Sequence, residues 1–155
     1  MATAFKITQA QQLSQQMSSI IYTFWQTGQF EQFFGVDDVK IATAKFIHPS
    51  AKQCIVVSPG RAEGYLKYQE MAFDLYNNGY SVFIIDHRGQ GLSGRMLADP
   101  HKGYIERFDH YAIDLKTFID DDVSKYCEQA PLLLAHSMGS AIAIRLMQHH
   151  PKLIK

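Results

Sequence analysis

The chain has 155 residues, and fifteen basic residues balance fifteen acidic ones, so its formal net charge is zero. That balance, with no run of lysines or arginines, gives no electrostatic pull toward nucleic acid, and an apolar content of 46% excludes a disordered or fibrous chain. No apolar run approaches the roughly twenty residues that span a bilayer, and the first ten residues, with a single Lys6 and no apolar stretch behind it, do not read as a secretion signal.

Leu13, Met17, Ile20, Ile21, Phe24 and Trp25 recur at three- and four-residue spacing. Residues 1–35 are therefore expected to be an amphipathic helical segment. It ends in a short link, bracketed by Gly28 and Gly35, that carries Phe30, Phe33 and Phe34. The aromatic stripe suits either contact with lipid or docking on the domain's own core. Residues 36–155 read as an incomplete α/β core. Lys40 to His48 alternates like a half-exposed strand and stops at Pro49-Ser50. Cys54 to Val57 is an apolar run stopped by Pro59-Gly60, with Cys54 expected to act as a small buried hydrophobe. Two cysteines without a C-x-x-C pair point to neither a metal nor a redox centre, and they fit a reducing cytoplasm.

Tyr65, Tyr68, Ala72, Leu75 and Tyr76 mark a helix face, and Asn77-Asn78-Gly79 ends that helix with Gly79 as a left-handed cap. Val82 to Ile85 is a second buried strand, followed by a glycine-rich loop from Asp86 to about Gly103. Phe108, Tyr111, Ala112, Leu115, Phe118 and Ile119 predict another helix. The acids Asp114, Asp120, Asp121 and Asp122, on or after it, are expected on a solvated surface. Leu132 to Leu134 lacks alternation, as a strand covered on both faces does. Ala141, Ile142, Ile144, Arg145 and Leu146 then give a last helix. Strand-helix alternation of this kind predicts an α/β fold with a mainly parallel sheet flanked by helices.

Ala135-His136-Ser137-Met138-Gly139 falls where the third apolar strand turns into the last helix. A serine at a sharp strand-to-helix turn is aimed out of the sheet edge, where a helix N-terminus offers free N–H groups to a developing oxyanion. Ser137 is the candidate nucleophile. The turn needs small residues on both sides of it, supplied by Ala135 and Gly139. The backbone N–H of Met138, and that of Arg61 in the loop after the first apolar strand, are the candidate oxyanion donors.

Three stretches carry a family resemblance: Ser-Pro-Gly-Arg-Ala-Glu-Gly-Tyr from Ser58, Ile-Asp-His-Arg-Gly-Gln-Gly-Leu-Ser-Gly from Ile85, and Ala-His-Ser-Met-Gly-Ser from Ala135. They resemble the monoacylglycerol-lipase-like branch of the α/β-hydrolases, and within it the bacterial lysophospholipases of the L-two type. Phe-Gly-Val-Asp-Asp-Val and Leu-Ala-Asp-Pro-His-Lys-Gly-Tyr-Ile-Glu-Arg-Phe resemble the latter too. Pro59 and Ser140 depart from the histidine and second glycine of many members. The resemblance implies the N-terminal half of an α/β-hydrolase fold, truncated after the nucleophile-elbow helix. It also implies hydrolysis of a lysophospholipid's fatty-acyl ester, with no metal or other cofactor. From its composition the chain is expected in the cytoplasm, or peripherally on the inner membrane. A monoacylglycerol lipase, a general carboxylesterase or an acyltransferase would use the same parts.

The triad order in this fold is Ser, then Asp or Glu, then His. No acid follows Ser137, and His149 and His150 fall about three helical turns beyond it, so the catalytic acid and histidine are expected to be absent and the chain alone inactive. A remote alternative is a dinucleotide-binding protein, because Gly89-Gln90-Gly91-Leu92-Ser93-Gly94 matches G-x-G-x-x-G. That fingerprint must open a helix, whereas here Pro100 follows an irregular stretch. The glycines then shape a loop in which Asp86 and Arg88 are structural polar groups.

Overall fold

The computed structural model describes residues 4–51 and 53–155. Its core is one five-stranded sheet made of β1 (Gln29–Phe34), β2 (Lys40–Phe46), β3 (Gln53–Ser58), β4 (Tyr80–Ile85) and β5 (Leu132–Ala135). The spatial order is β1-β2-β4-β3-β5. The sheet is mixed. β1 pairs antiparallel with β2, and β2 with β4, whereas β3 runs parallel to both β4 and β5. The parallel part expected from strand-helix alternation is thus the half that ends at Ser137.

Helices cover both faces. On one lie α4 (Asp109–Asp121) and α5 (Met138–His149), packing Leu115, Phe118, Ile142 and Leu146 onto Ile41, Val56, Phe83 and Ile85. On the other, α1 (Leu13–Gln16) and α2 (Tyr22–Trp25) are joined by a π-helical turn, Met17–Ile21, and sit beside α3 (Gln69–Asn77), which follows a 3-10 turn at Tyr65–Tyr68. There Trp25, Tyr65, Tyr68 and Ala72 meet Ala44, Phe46, Val57 and Ile84. Gly79 closes α3 at φ 87°, its N–H on the Tyr76 carbonyl at 2.8 Å, as a left-handed cap does.

Four expectations change. The link between Gly28 and Gly35 is a strand, registered on β2 from Gln29 opposite Lys45 to Phe34 opposite Lys40. β2 is not half-exposed, since every residue after Lys40 is buried. Its polar members go inside because they are paired: the Lys45 ammonium lies 3.0 Å from a Glu31 carboxylate oxygen and 2.8 Å from one of Asp122. Asp122 is therefore not simply solvated, and Asp114 is fully buried against Arg88; Asp120 and Asp121 are exposed as expected. Cys54 is no free hydrophobe but is disulfide-bonded to Cys127, which removes the argument from sparse cysteines to a reducing compartment. Trp25 and Ile21 are buried, whereas Ile20 and Tyr22 face outward. The aromatic stripe therefore docks on the core.

Candidate active site at the turn between β5 and α5

Ser137 lies between the last residue pair of β5 and the first turn of α5 with φ 51° and ψ −117°. A side chain held at positive φ costs on the order of 1–3 kcal/mol and persists only where its surroundings impose it. Here they do. Ala135 is in register with Ser58, and the His136 N–H donates to the Ser58 carbonyl at 3.1 Å. The Gly139 N–H returns to the His136 carbonyl at 2.8 Å, and the Ser140 hydroxyl donates to the Ala135 carbonyl at 3.1 Å. A Cβ on Gly139 would stand 2.0 Å from the Ser58 carbonyl oxygen, so only glycine lets α5 approach β3 this closely. Ser140, the departure from a second glycine, thus ties the turn with its hydroxyl. Ser137 itself is exposed.

The loop after β3 is held by a carboxylate. Glu63 accepts the Gly60 N–H at 2.8 Å and the Tyr68 hydroxyl at 2.6 Å, pairs with the Lys67 ammonium, and lies 3.2 Å from Nδ1 of His136. Lys67 first, then the Tyr68 hydroxyl, pull its pKa down to about 2, while burial beside that carboxylate pushes Tyr68 up. The Ala62 N–H, at φ 59°, donates to the Gln90 side-chain carbonyl. With Gly60 and Ala62 committed in this way, the N–H groups of Arg61 and Met138 find no acceptor among the described residues. Both residues border one cavity of about 210 Å³, also walled by Gln90, Tyr104, Phe108 and Tyr111.

Behind this wall, the Ser58 hydroxyl meets Nε2 of His87 at 2.8 Å, and burial presses the His87 pKa down to about 3. Asp86, also buried, accepts the N–H groups of Tyr65 and of Leu92, the latter at 2.8 Å, and burial raises its pKa. Arg88 reaches both oxygens of Asp114 at 2.7 and 2.8 Å. Asp86 and Arg88 are structural groups, as expected. The glycine pattern from Gly89 to Gly94 closes on itself, the Gly89 N–H donating to the Gly94 carbonyl at 2.9 Å, and no helix opens there. A dinucleotide pyrophosphate would find no helix N-terminus at this loop. His149 and His150 are exposed at the far end of α5, on the order of 18 Å along the helix from Ser137.

The structure therefore brings Ala135, Ser137, Met138, Gly139 and Arg61 to one place and leaves His149 and His150 outside it. Sequence reasoning missed Glu63, His136 and Gln90. For Glu63 a signal existed: it lies three residues after Gly60 and four before Lys67, within reach of both.

Residues 49–155 match the family model described as serine aminopeptidase, S33. The chain belongs to the S33 serine aminopeptidase family. This S33 chain is 44% identical over 128 residues to Lysophospholipase L2 of Escherichia coli (strain K12), a match that covers 83% of the chain and 38% of that protein. It is 32% identical over 100 residues to Monoglyceride lipase of Homo sapiens, covering 64% and 31% respectively. A thermostable carboxyl esterase from Bacillus coagulans superposes with a TM-score of 0.72 at 19% identity, over 82% of this chain and 42% of that one. That likeness is one of fold, and it places the five strands and their helices in an α/β-hydrolase fold. The S33 chain spans well under half the length of the curated relatives it matches.

Proposed function

We propose that this S33 chain carries the nucleophile of a serine hydrolase that cleaves the fatty-acyl ester of lysophospholipids. The observation that carries the reading is Ser137 itself: an exposed serine at φ 51°, forced there by the close approach of α5 to β3. The 44% identity to Lysophospholipase L2 supplies the substrate class. In this reading the Ser137 hydroxyl oxygen attacks the ester carbonyl as its proton passes to a histidine base. The N–H groups of Arg61 and Met138 receive the oxyanion. The tetrahedral intermediate collapses, the glycerol oxygen leaves with that proton, and water then releases the fatty acid from the acyl-enzyme. No carboxylate follows Ser137 here and His149 and His150 lie too far away, so the base and its acid are assigned to residues outside these 155.

Monoacylglycerol hydrolysis is the second reading, favoured by the likeness to Monoglyceride lipase. Among the described residues no helix is long and apolar enough to cross a membrane; contact with a lipid surface would fall to exposed residues such as Ile20 and Tyr22. The test is Ser137→Ala in a hydrolase that continues this chain to its relatives' length. Turnover of a lysophospholipid should fall by at least about a thousandfold, with the fold intact. Near-normal turnover refutes the assignment, and the ratio of rates on lysophospholipid and monoacylglycerol separates the two readings.

A further inference from the structure

Of the five arginines, four are engaged. Arg88 holds Asp114, Arg145 and Arg107 reach Asp109, and Arg95 donates to the carbonyls of Ser93, Gly91 and Pro100. Arg61 alone has no hydrogen-bond or ion-pair partner among the described residues. Its backbone N–H is also a candidate oxyanion donor, and its guanidinium runs along the 210 Å³ cavity toward Gly103, Nη2 standing 3.6 Å from where a Cβ on that glycine would be.

The walls of that cavity make an uncommitted guanidinium informative. Tyr104, Ile105, Phe108, Tyr111 and Met138 give it an apolar lining. On the same wall Gln90, 8% exposed, uses its carbonyl on the Ala62 N–H and leaves its Nε2 without a partner. Cation and amide donors set in apolar surroundings favour an anion with several acceptor oxygens, because a guanidinium–phosphate pair strengthens as water is excluded. Span fits as well. From the ester carbonyl carbon of a lysophospholipid to its phosphorus is six bonds, about 7–8 Å when extended, since each bond of about 1.5 Å advances a zigzag chain by about 1.25 Å. An extended arginine covers a like distance from its own N–H to its guanidinium.

We infer that Arg61 recognises both ends of the reacting part of the substrate: its backbone N–H faces the ester oxyanion, and its guanidinium, with the Gln90 amide behind it, binds the phosphodiester of the lysophospholipid head group. This rests on the lysophospholipid reading of the Ser137 site and goes beyond it by making one side chain the discriminator between a phosphodiester and a neutral glycerol.

The experiment compares lysophosphatidylglycerol with a monoacylglycerol of the same chain length, in the hydrolase continued to its relatives' length. The Arg61→Gln variant should lower the ratio of the two kcat/KM values by about tenfold to a hundredfold, the range of a charge-assisted contact. Arg61→Lys should fall between, because a point charge replaces a planar fork. An unchanged ratio, or equal losses on both lipids, overturns the inference. Should the parent enzyme turn over neither lipid, the hydrolase reading fails separately. Calorimetric binding of monomeric lysophosphatidylglycerol then still decides: tighter binding by the parent than by Arg61→Gln upholds the phosphodiester site, and equal binding refutes it.

Discussion

The two halves of the sheet are built to different ends. On the side of β1 and β2, Trp25 stacks among Phe30, Phe46 and Tyr65 at ring separations of 5.4, 4.9 and 6.0 Å, and buried charges such as Lys45 are fully paired. On the side of β3 and β5, polar atoms are left without partners. Both buried side-chain atoms without a partner among the described residues, His87 Nδ1 and Gln90 Nε2, lie there. Positive φ occurs in both halves, but at Asp37 and Asp38 it falls on aspartates in the turn between β1 and β2, a residue type that tolerates it. At Ala62 and Ser137 it falls on residues that do not. Both halves carry buried core, but the strain on residues that resist it and the unpaired buried polar atoms are concentrated in the second.

Mutations should separate the halves, and Trp25→Ser should do so most strongly. Emptying the aromatic cluster should cost about 3–5 kcal/mol, read as a fall in thermal unfolding temperature. Unchanged stability with lost liposome association would instead make Trp25 a lipid contact. Gly139→Ala should act in the other half, costing about 1–3 kcal/mol through overpacking. Its larger effect should be on rate, since displacing the turn by about 1 Å is enough for a hundredfold loss. A variant that loses stability but keeps kcat/KM would erase the distinction between the halves.

Acid should weaken the second half first. His87 is held neutral, with its pKa lowered from 6.5 to about 3. The unfolded chain therefore takes up a proton that the folded one refuses, and stability is lost as pH falls from about 6.5 toward 3. Glu63, lowered from 4.5 to about 2, adds its own loss as pH falls from about 4.5 toward 2. Unfolding followed from pH 7 to pH 4 should show this slope reduced in His87→Gln. An identical slope would remove His87 from the account.

Much of this was legible in sequence because it is local. The apolar runs at Cys54–Val57 and Val82–Ile85 and the stripe from Phe108 to Ile119 carry their own periods, and the sharp turn at Ser137 is announced by the small residues around it. What was illegible depends on partners far along the chain. Asp114 reads as a surface acid until Arg88, 26 residues earlier, is folded against it. Lys45 needs Asp122, 77 residues away, and Cys54 needs Cys127, 73 away. β1 was hidden for a different reason. It is an edge strand with five of its six residues exposed, so no buried face imprints a period of two on Gln29 to Phe34.

The contact between Gly139 and the Ser58 carbonyl has a consequence for anyone recombining such enzymes. It joins the loop after β3 to the loop after β5, which lie some eighty residues apart, through backbone rather than side chains. The two loops behave as one heritable module. Transplanting the Pro59–Glu63 segment from a relative succeeds only if the donor follows the same backbone path past residue 139, and libraries that vary one loop while fixing the other will be populated mainly by misaligned turns.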